Sequence, residues 1–111
     1  MKRIDLLGII ENGGATVNGS GDRVYFANGY QVSKKDCFVL DVGNVDAILE
    51  AVNVVLSTMN SGDFCGLWVE DGKIYVDVSE RVEDRAEALQ IGRERSQISI
   101  FDWATGNCVY C

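Results

Sequence analysis

The sequence contains no histidine and no proline. Without histidine, the chain lacks the residue that most often acts as general base or metal ligand, and its serine and cysteine side chains lack their usual activating partner. With 111 residues and no low-complexity run, it has the length and composition of one ordered domain. We therefore predict a single domain over residues 1–111 that is not an enzyme and needs no cofactor.

Carboxylate chemistry is the catalytic route that the missing histidine leaves open. Asp77 or Asp102 could belong to a pair of carboxylates like the pairs that hydrolyse glycosides. Nothing in the sequence fixes a second carboxylate at a working distance from either residue. A binding function is therefore the stronger prediction.

Basic residues are scarce relative to acidic ones. Ten Lys and Arg residues stand against 17 Asp and Glu residues, which gives a net charge of −7. Nucleic-acid binding depends on neutralising phosphates with Lys and Arg, so we expect no direct binding of DNA or RNA.

The acidic residues gather at two places. Two stand in a predicted hairpin turn and four at the start of the last predicted helix: Glu70 and Asp71, then Glu80, Glu83, Asp84 and Glu87. Carboxylates favour helix N-termini and improve solubility, which explains part of this pattern. The alternative is an acidic surface complementary to a basic nucleic-acid-binding protein.

The N-terminal segment and the cysteines bear on cellular location. Met1–Glu11 is too short and too charged to span a membrane, and no small-residue cleavage site follows it as in a signal peptide. We expect a cytoplasmic protein with four reduced thiols. Cys108 and Cys111 have metal-site or redox spacing, but no second Cys-x-x-Cys pair accompanies them, so we predict no bound zinc.

A hairpin organises the predicted fold. Asp71-Gly72 is a dipeptide preferred in two-residue turns between antiparallel strands. Alternation then places one apolar set on one face of the sheet: Leu67, Val69, Ile74, Val76 and Val78. Trp68, Tyr75 and Asp77 fall on the opposite face.

Helical periodicity appears in two main segments. Asn44–Met59 has apolar residues at helical spacing behind a capping asparagine, and Asp84–Arg95 begins with a reciprocal cap between Asp84 and Glu87. Met1–Glu11 is predicted as a third helix with Leu6, Leu7 and Ile10 on one side; a strand is the alternative.

The remaining segments have strand patterns. They are Ala15–Val17, Arg23–Phe26, Tyr30–Ser33, Cys37–Val42, Gln97–Asp102 and Cys108–Tyr110, with a hairpin turn expected at Asn28-Gly29 and another turn at Lys34–Asp36. The last helix lies between two strands, which predicts a crossover with parallel strands. We predict an α+β domain with a mainly antiparallel sheet and two to three helices, the two main ones packed on one side.

The sheet face without helices is rich in aromatic residues. Trp68, Tyr75 and Phe101 lie on it, with Trp103 nearby. One interpretation is a two-sided core, in which the N-terminal third covers this face. The other is an exposed patch that contacts a partner, because aromatic residues are enriched in interface cores.

Several segments also carry a family resemblance. They are Ile9–Val17, Gly29–Ser33, Gly66–Val69, Lys73–Ser79, and Glu87-Ala88 with Gln97–Asp102. In order and spacing they resemble a family of small proteins encoded by phages, prophages and other mobile elements of Gram-positive bacteria. The resemblance implies a small cytoplasmic accessory protein that acts against host defences by binding a host protein, and it identifies no catalytic residue.

The leading hypothesis is thus an anti-CRISPR-like or anti-restriction inhibitor that occludes the nucleic-acid-binding surface of a basic host protein. The second is a structural or regulatory homodimer that uses the sheet face. The third is a small enzyme or metal-binding module around Cys108 and Cys111. The candidate partner-binding residues are Glu70, Asp71, Glu80, Glu83, Asp84, Glu87, Trp68 and Tyr75.

Overall fold

A computed structural model describes residues 1–111 as three helices and one six-stranded sheet. In chain order the elements are α1 (Arg3–Asn12), β1 (Gly14–Val17), β2 (Tyr30–Asp41), α2 (Val45–Thr58), β3 (Phe64–Glu70), β4 (Lys73–Val82), α3 (Arg85–Glu94), β5 (Ser99–Asp102) and β6 (Asn107–Tyr110). The predicted α+β class is confirmed. No helix is long and apolar enough to cross a membrane.

The strands lie in the order β1-β3-β4-β2-β5-β6, and every neighbouring pair is antiparallel. β4 and β5 therefore run in the same direction, as the predicted crossover requires. They are not adjacent, however, because β2 lies between them. Tyr30 on β2 pairs with Val82 on one side and with Asp102 on the other, so the expected parallel pair is replaced by two antiparallel ones.

The predicted hairpin between β3 and β4 is confirmed. Asp71 and Gly72 have φ angles of 51° and 73°, the positive values that a tight turn of this kind requires. The turn sets the register in which Trp68 faces Tyr75. Leu67 and Ile74 then point to the opposite face and are buried.

All three helices pack on one face of the sheet. α1 and α2 cover a first apolar cluster that includes Ile74 and Val76, and α3 covers a second that includes Val82. These three residues alternate along β4, so their side chains share one face. The opposite face carries no helix, and we call it the open face.

The helix ends follow the local signals. Asn44 accepts a hydrogen bond from the Ala47 amide at 3.4 Å, and Asp84 accepts one from the Glu87 amide at 2.9 Å. The cap at α3 is one-sided, because the Glu87 side chain does not bond back to it.

The first helix is also present. Gly13, with a φ angle of 91°, ends α1. Leu6 and Ile9 are its buried residues, whereas Leu7 is exposed. The predicted apolar side, which included Leu7, is therefore wrong by part of a turn.

Three predictions between residues 23 and 42 are wrong. Tyr30–Asp41 is one strand of 12 residues, and register shifts at two bulges accommodate the residues that were expected to form a turn. Arg23–Phe26 is not a strand, and Asn28-Gly29 is therefore not a hairpin turn. The Arg81 guanidinium group donates hydrogen bonds to the Asn28 carbonyl, so a side chain replaces a neighbouring strand as the donor.

Candidate functional site

The open face divides into two halves along β4. At one end, the loop around Phe26 and Asn28, together with Trp103, lies over Phe64, Arg81 and Phe101; we call this the covered half. At the other end, near the hairpin turn, no segment of the chain lies over the exposed side chains. We call that end the bare half.

Aromatic contacts close the covered half. Phe26 packs edge-to-face against Phe64 and Trp103, with ring centroids 5.7 and 5.4 Å apart, and Trp103 packs in the same way on Phe101 at 5.0 Å. The Arg81 guanidinium carbon lies 4.8 Å from the centre of the Phe26 ring. These contacts stabilise a loop that has almost no strand pairing of its own.

Polar groups in the covered half find partners within the chain. The Trp103 indole Nε1 donates to Gln31 Oε1 at 3.0 Å, and Gln31 Nε2 donates to Ser79 Oγ at 2.9 Å. Gln31 and Ser79 are both buried. Phe101 and Trp103 are therefore covered but only half-buried, and the cover comes from the loop around Phe26 rather than from the whole N-terminal third.

The bare half carries a row of three exposed apolar side chains. Val39 pairs with Tyr75, and Tyr75 pairs with Trp68, across three adjacent strands. Their exposed fractions are 56%, 42% and 51%. We call these three residues the aromatic patch; its side chains share one face because residues paired across strands do so.

An unusual polar group separates the two halves. Asp77 lies one row inward from Tyr75, and its carboxylate occupies the space that a side chain at Gly66 would fill. Asp77 Oδ1 and Ser33 Oγ are buried, and neither makes a hydrogen bond of good geometry. Such orphaned acceptors are rare in folded proteins.

The environment of Asp77 changes its acidity. Burial raises the pKa of Asp77 to about 6, and repulsion from the Asp36 carboxylate adds to the increase. The nearby Ser33 hydroxyl and Gly66 amide lower the pKa but do not offset burial. At neutral pH the side chain is mostly ionised, and no basic group of the chain forms an ion pair with it.

The structure does not bring the predicted acidic residues together. Glu70 and Asp71 are exposed beside the aromatic patch and form no ion pair. The other group lies at and just beyond the far end of β4, which has ten residues and is therefore about 30 Å long.

The far acidic residues also have structural roles. Glu80 is half-buried. Its carboxylate forms an ion pair with Arg95 at 3.0 Å and lies 3.8 Å from the Lys34 ammonium group. Glu83 pairs with Arg81, and Asp84 caps α3. Glu87 is exposed in the first turn of that helix. Glu70 and Asp71, by contrast, form no ion pair within the chain.

The residues considered for catalysis or metal binding lie apart in the fold. Asp102 accepts a hydrogen bond from the Ala104 amide at 3.0 Å. It pairs with Tyr30, which pairs in turn with the β4 residue five positions after Asp77. Cys108 is exposed beside Phe101, whereas Cys111 packs into the cluster under α3. No three His, Cys, Asp or Glu side chains converge as metal ligands.

Two surface depressions lie away from the open-face residues described above. One, of about 280 Å³, lies between the Asn18–Ser20 loop and the end of α2; the other, of about 450 Å³, lies between α1 and residues 21–23. Both are shallow and mostly polar. A binding role therefore rests on the open face rather than on a pocket for a small molecule.

Sequence reasoning placed Trp68, Tyr75 and Asp77 on one face correctly, but it missed the surroundings of Asp77. Asp36 was expected in a turn, which hid its pairing with Asp77. A usable signal was present, because Lys34–Asp36 contains none of the Gly, Asn or Pro residues that are common in tight turns.

The comparisons with known proteins add no functional assignment. No family model matches the chain, and no curated protein or solved structure is significantly similar to it. The functional argument therefore depends on the geometry of the open face.

Proposed function

We propose that the protein binds another protein through the aromatic patch and the adjacent acidic turn, and that it occludes a basic, nucleic-acid-binding surface of that partner. The observation that carries this proposal is the exposed row of Trp68, Tyr75 and Val39 beside unpaired Glu70 and Asp71.

The aromatic patch has the composition of an interface centre. Tryptophan and tyrosine are enriched among the residues that dominate binding energy. A row across three strands is also rigid, so little side-chain freedom is lost on association. A stable interface needs about 800 Å² from each partner, so the patch would form the centre and the surrounding strand residues the rim.

Charge favours a basic partner over a second copy of this chain. The net charge is −7, and two copies that met at the bare half would bring their acidic turns close together. A basic surface would instead be attracted during encounter. The homodimer alternative therefore becomes an outcome that the experiment below can detect.

The biological setting comes from the resemblance to mobile-element proteins. In that setting the partner is a host defence protein that must bind DNA or RNA, and the protein is an anti-CRISPR-like or anti-restriction inhibitor in the host cytoplasm. Occlusion requires only tight binding at the right place and no chemical step.

The experiment is affinity capture from a Gram-positive lysate, followed by binding measurements with the purified captured protein. Trp68→Ala combined with Tyr75→Ala should weaken binding by about 30-fold or more, because each residue stands at an interface centre. Glu70→Lys combined with Asp71→Asn should slow association and weaken its salt dependence. Asparagine is chosen at position 71 because it tolerates the positive φ of 51°.

A matched control makes the charge test specific. Glu50→Lys combined with Asp22→Asn makes the same change in net charge at exposed positions away from the patch, and it should leave association within about twofold. Nucleic acid should compete with the protein for its partner. The proposal is overturned if the patch variant binds normally, if nucleic acid does not compete, or if the patch variant merely converts a dimer into a monomer.

A further inference from the structure

The covered half contains an arginine site that is filled by the chain itself. The guanidinium group of Arg81 stacks on the Phe26 ring, with 4.8 Å between its carbon and the ring centre. Its Nη2 atom donates to the Asn28 carbonyl at 2.9 Å and to Asn28 Oδ1 at 2.6 Å. An aromatic ring beside oxygen acceptors is a common environment for arginine.

The boundary of the bare half has the same components without a basic side chain. Asp77 Oδ1 and Ser33 Oγ are buried and make no hydrogen bond of good geometry, although the Ser33 hydroxyl and the Gly66 amide lie close enough to lower the pKa of Asp77. Trp68 and Tyr75 lie in the next row on the same face, about 7 Å along the strands. Gly66 has no side chain, so the carboxylate lies directly over the β3 backbone.

From this correspondence we infer that Asp77, assisted by Ser33, binds one arginine side chain of the partner, with its guanidinium plane against Trp68 or Tyr75. This inference deepens the proposed function and rests on it for the identity of the partner as a protein. Arginine fits better than lysine, because its planar group donates to two acceptors while stacking on an aromatic ring.

Electrostatics support the same assignment. Asp36 pairs with Asp77 across β2 and β4, and its carboxylate forms no ion pair. Leaving a partly buried carboxylate unpaired costs free energy, which a bound guanidinium group would recover. The site would thus add affinity and also orient the partner relative to the aromatic patch.

The test uses argininamide as the probe and does not require the partner. In an NMR titration of the isotope-labelled protein, argininamide should give saturable shifts at the Gly66 and Asp77 amides. Citrullinamide, whose side chain has nearly the same shape but no charge, should bind at least about tenfold more weakly. Lysinamide should fall between the two, because it lacks the planar fork.

Two variants locate the binding site. Asp77→Asn should abolish the saturable shifts, whereas Asp22→Asn, which removes a charge at an exposed position away from the open face, should change affinity by less than about twofold. Thermal melting verifies that each variant is folded, and Ser33→Ala supplies a second test with an expected loss of several-fold.

The outcomes separate this inference from the proposed function. The arginine site is overturned if argininamide gives no saturable shift, if citrullinamide binds equally well, or if Asp77→Asn binds normally. Partner capture that depends on Trp68 and Tyr75 would then still support the proposed function. Conversely, argininamide could bind at Asp77 while substitution of Trp68 and Tyr75 leaves partner capture unchanged. That result would overturn the proposed function but not the arginine site.

Discussion

Both halves of the open face carry aromatic side chains, but these are packed under a loop in one half and exposed to solvent in the other. In the covered half, Phe26 closes over Phe64 and Trp103, and the polar groups beneath it are hydrogen-bonded. In the bare half, Trp68 and Tyr75 stay about half exposed, and the neighbouring carboxylate of Asp77 is unpaired. Cover by an irregular loop, rather than position in the strands, determines which aromatic residues are half-buried and which stay exposed.

This contrast teaches that an aromatic sheet face is not by itself evidence of a binding site. Phe101 and Trp103 belong to the same face as Trp68, yet edge-to-face contacts and a hydrogen bond occupy Trp103. The residues suited to partner binding are those that retain both exposed apolar surface and unsatisfied polar groups. The bare half has the exposed aromatic patch, and the unsatisfied Asp77 Oδ1 lies in the row next to it.

The largest expected effect on stability comes from removing the Phe26 ring, which holds the loop over the covered half. Phe26→Ala removes the ring that touches Phe64, Trp103 and Arg81, so we expect the free energy of unfolding to fall by about 2–3 kcal/mol, somewhat less than for a fully buried Phe. Trp68→Ala should cost less than about 1 kcal/mol, because half of its surface is already exposed. Urea unfolding of the two variants measures the difference, and equal losses would contradict the division into halves.

The next effect tests the close contact beneath Asp77. Gly66→Ala places a methyl group where the Asp77 carboxylate lies, and we expect a loss of about 1–3 kcal/mol from overpacking. Adding Asp77→Ala removes the obstructing group, so the double variant should recover part of that loss. A purely additive result in urea unfolding would show that the two side chains do not compete for this space.

A smaller effect comes from the acidity of Asp77. Its pKa is raised from 3.8 to about 6 on folding, so its contribution to stability is fully present below pH 4 and is lost as the pH rises through 6. Between pH 5 and pH 7 the wild-type protein should lose about 1 kcal/mol more stability than Asp77→Asn does. Parallel profiles for the two proteins would contradict the raised pKa.

The sequence predicted a structural feature correctly when the residues that cause it are close together in the chain. The Asp71-Gly72 turn and the Asn44 cap were predictable, because the residues that cause them are adjacent in the chain. Arg23–Phe26 has strand-like residues, but Phe26 packs through contacts with residues about 40 and 80 positions away. Such contacts override local preference for a strand.

The candidate site was predictable only in part for the same reason. Strand alternation placed Trp68, Tyr75 and Asp77 together correctly. The pairing of Asp36 with Asp77 depended on a strand continued through two bulges, and the separation of the two acidic groups depended on the length of β4. Neither of these features has a distinctive local pattern.

The central claim is that the bare half is both open to solvent and negatively charged. The most direct test is ionic quenching of Trp68 fluorescence in Trp103→Phe, which leaves Trp68 as the sole tryptophan. Relative to free N-acetyltryptophanamide, Cs⁺ should quench Trp68 more efficiently than I⁻, because nearby carboxylates attract cations. The preference should shrink as the ionic strength rises. Poor quenching by both ions, or a preference for I⁻, would contradict the account.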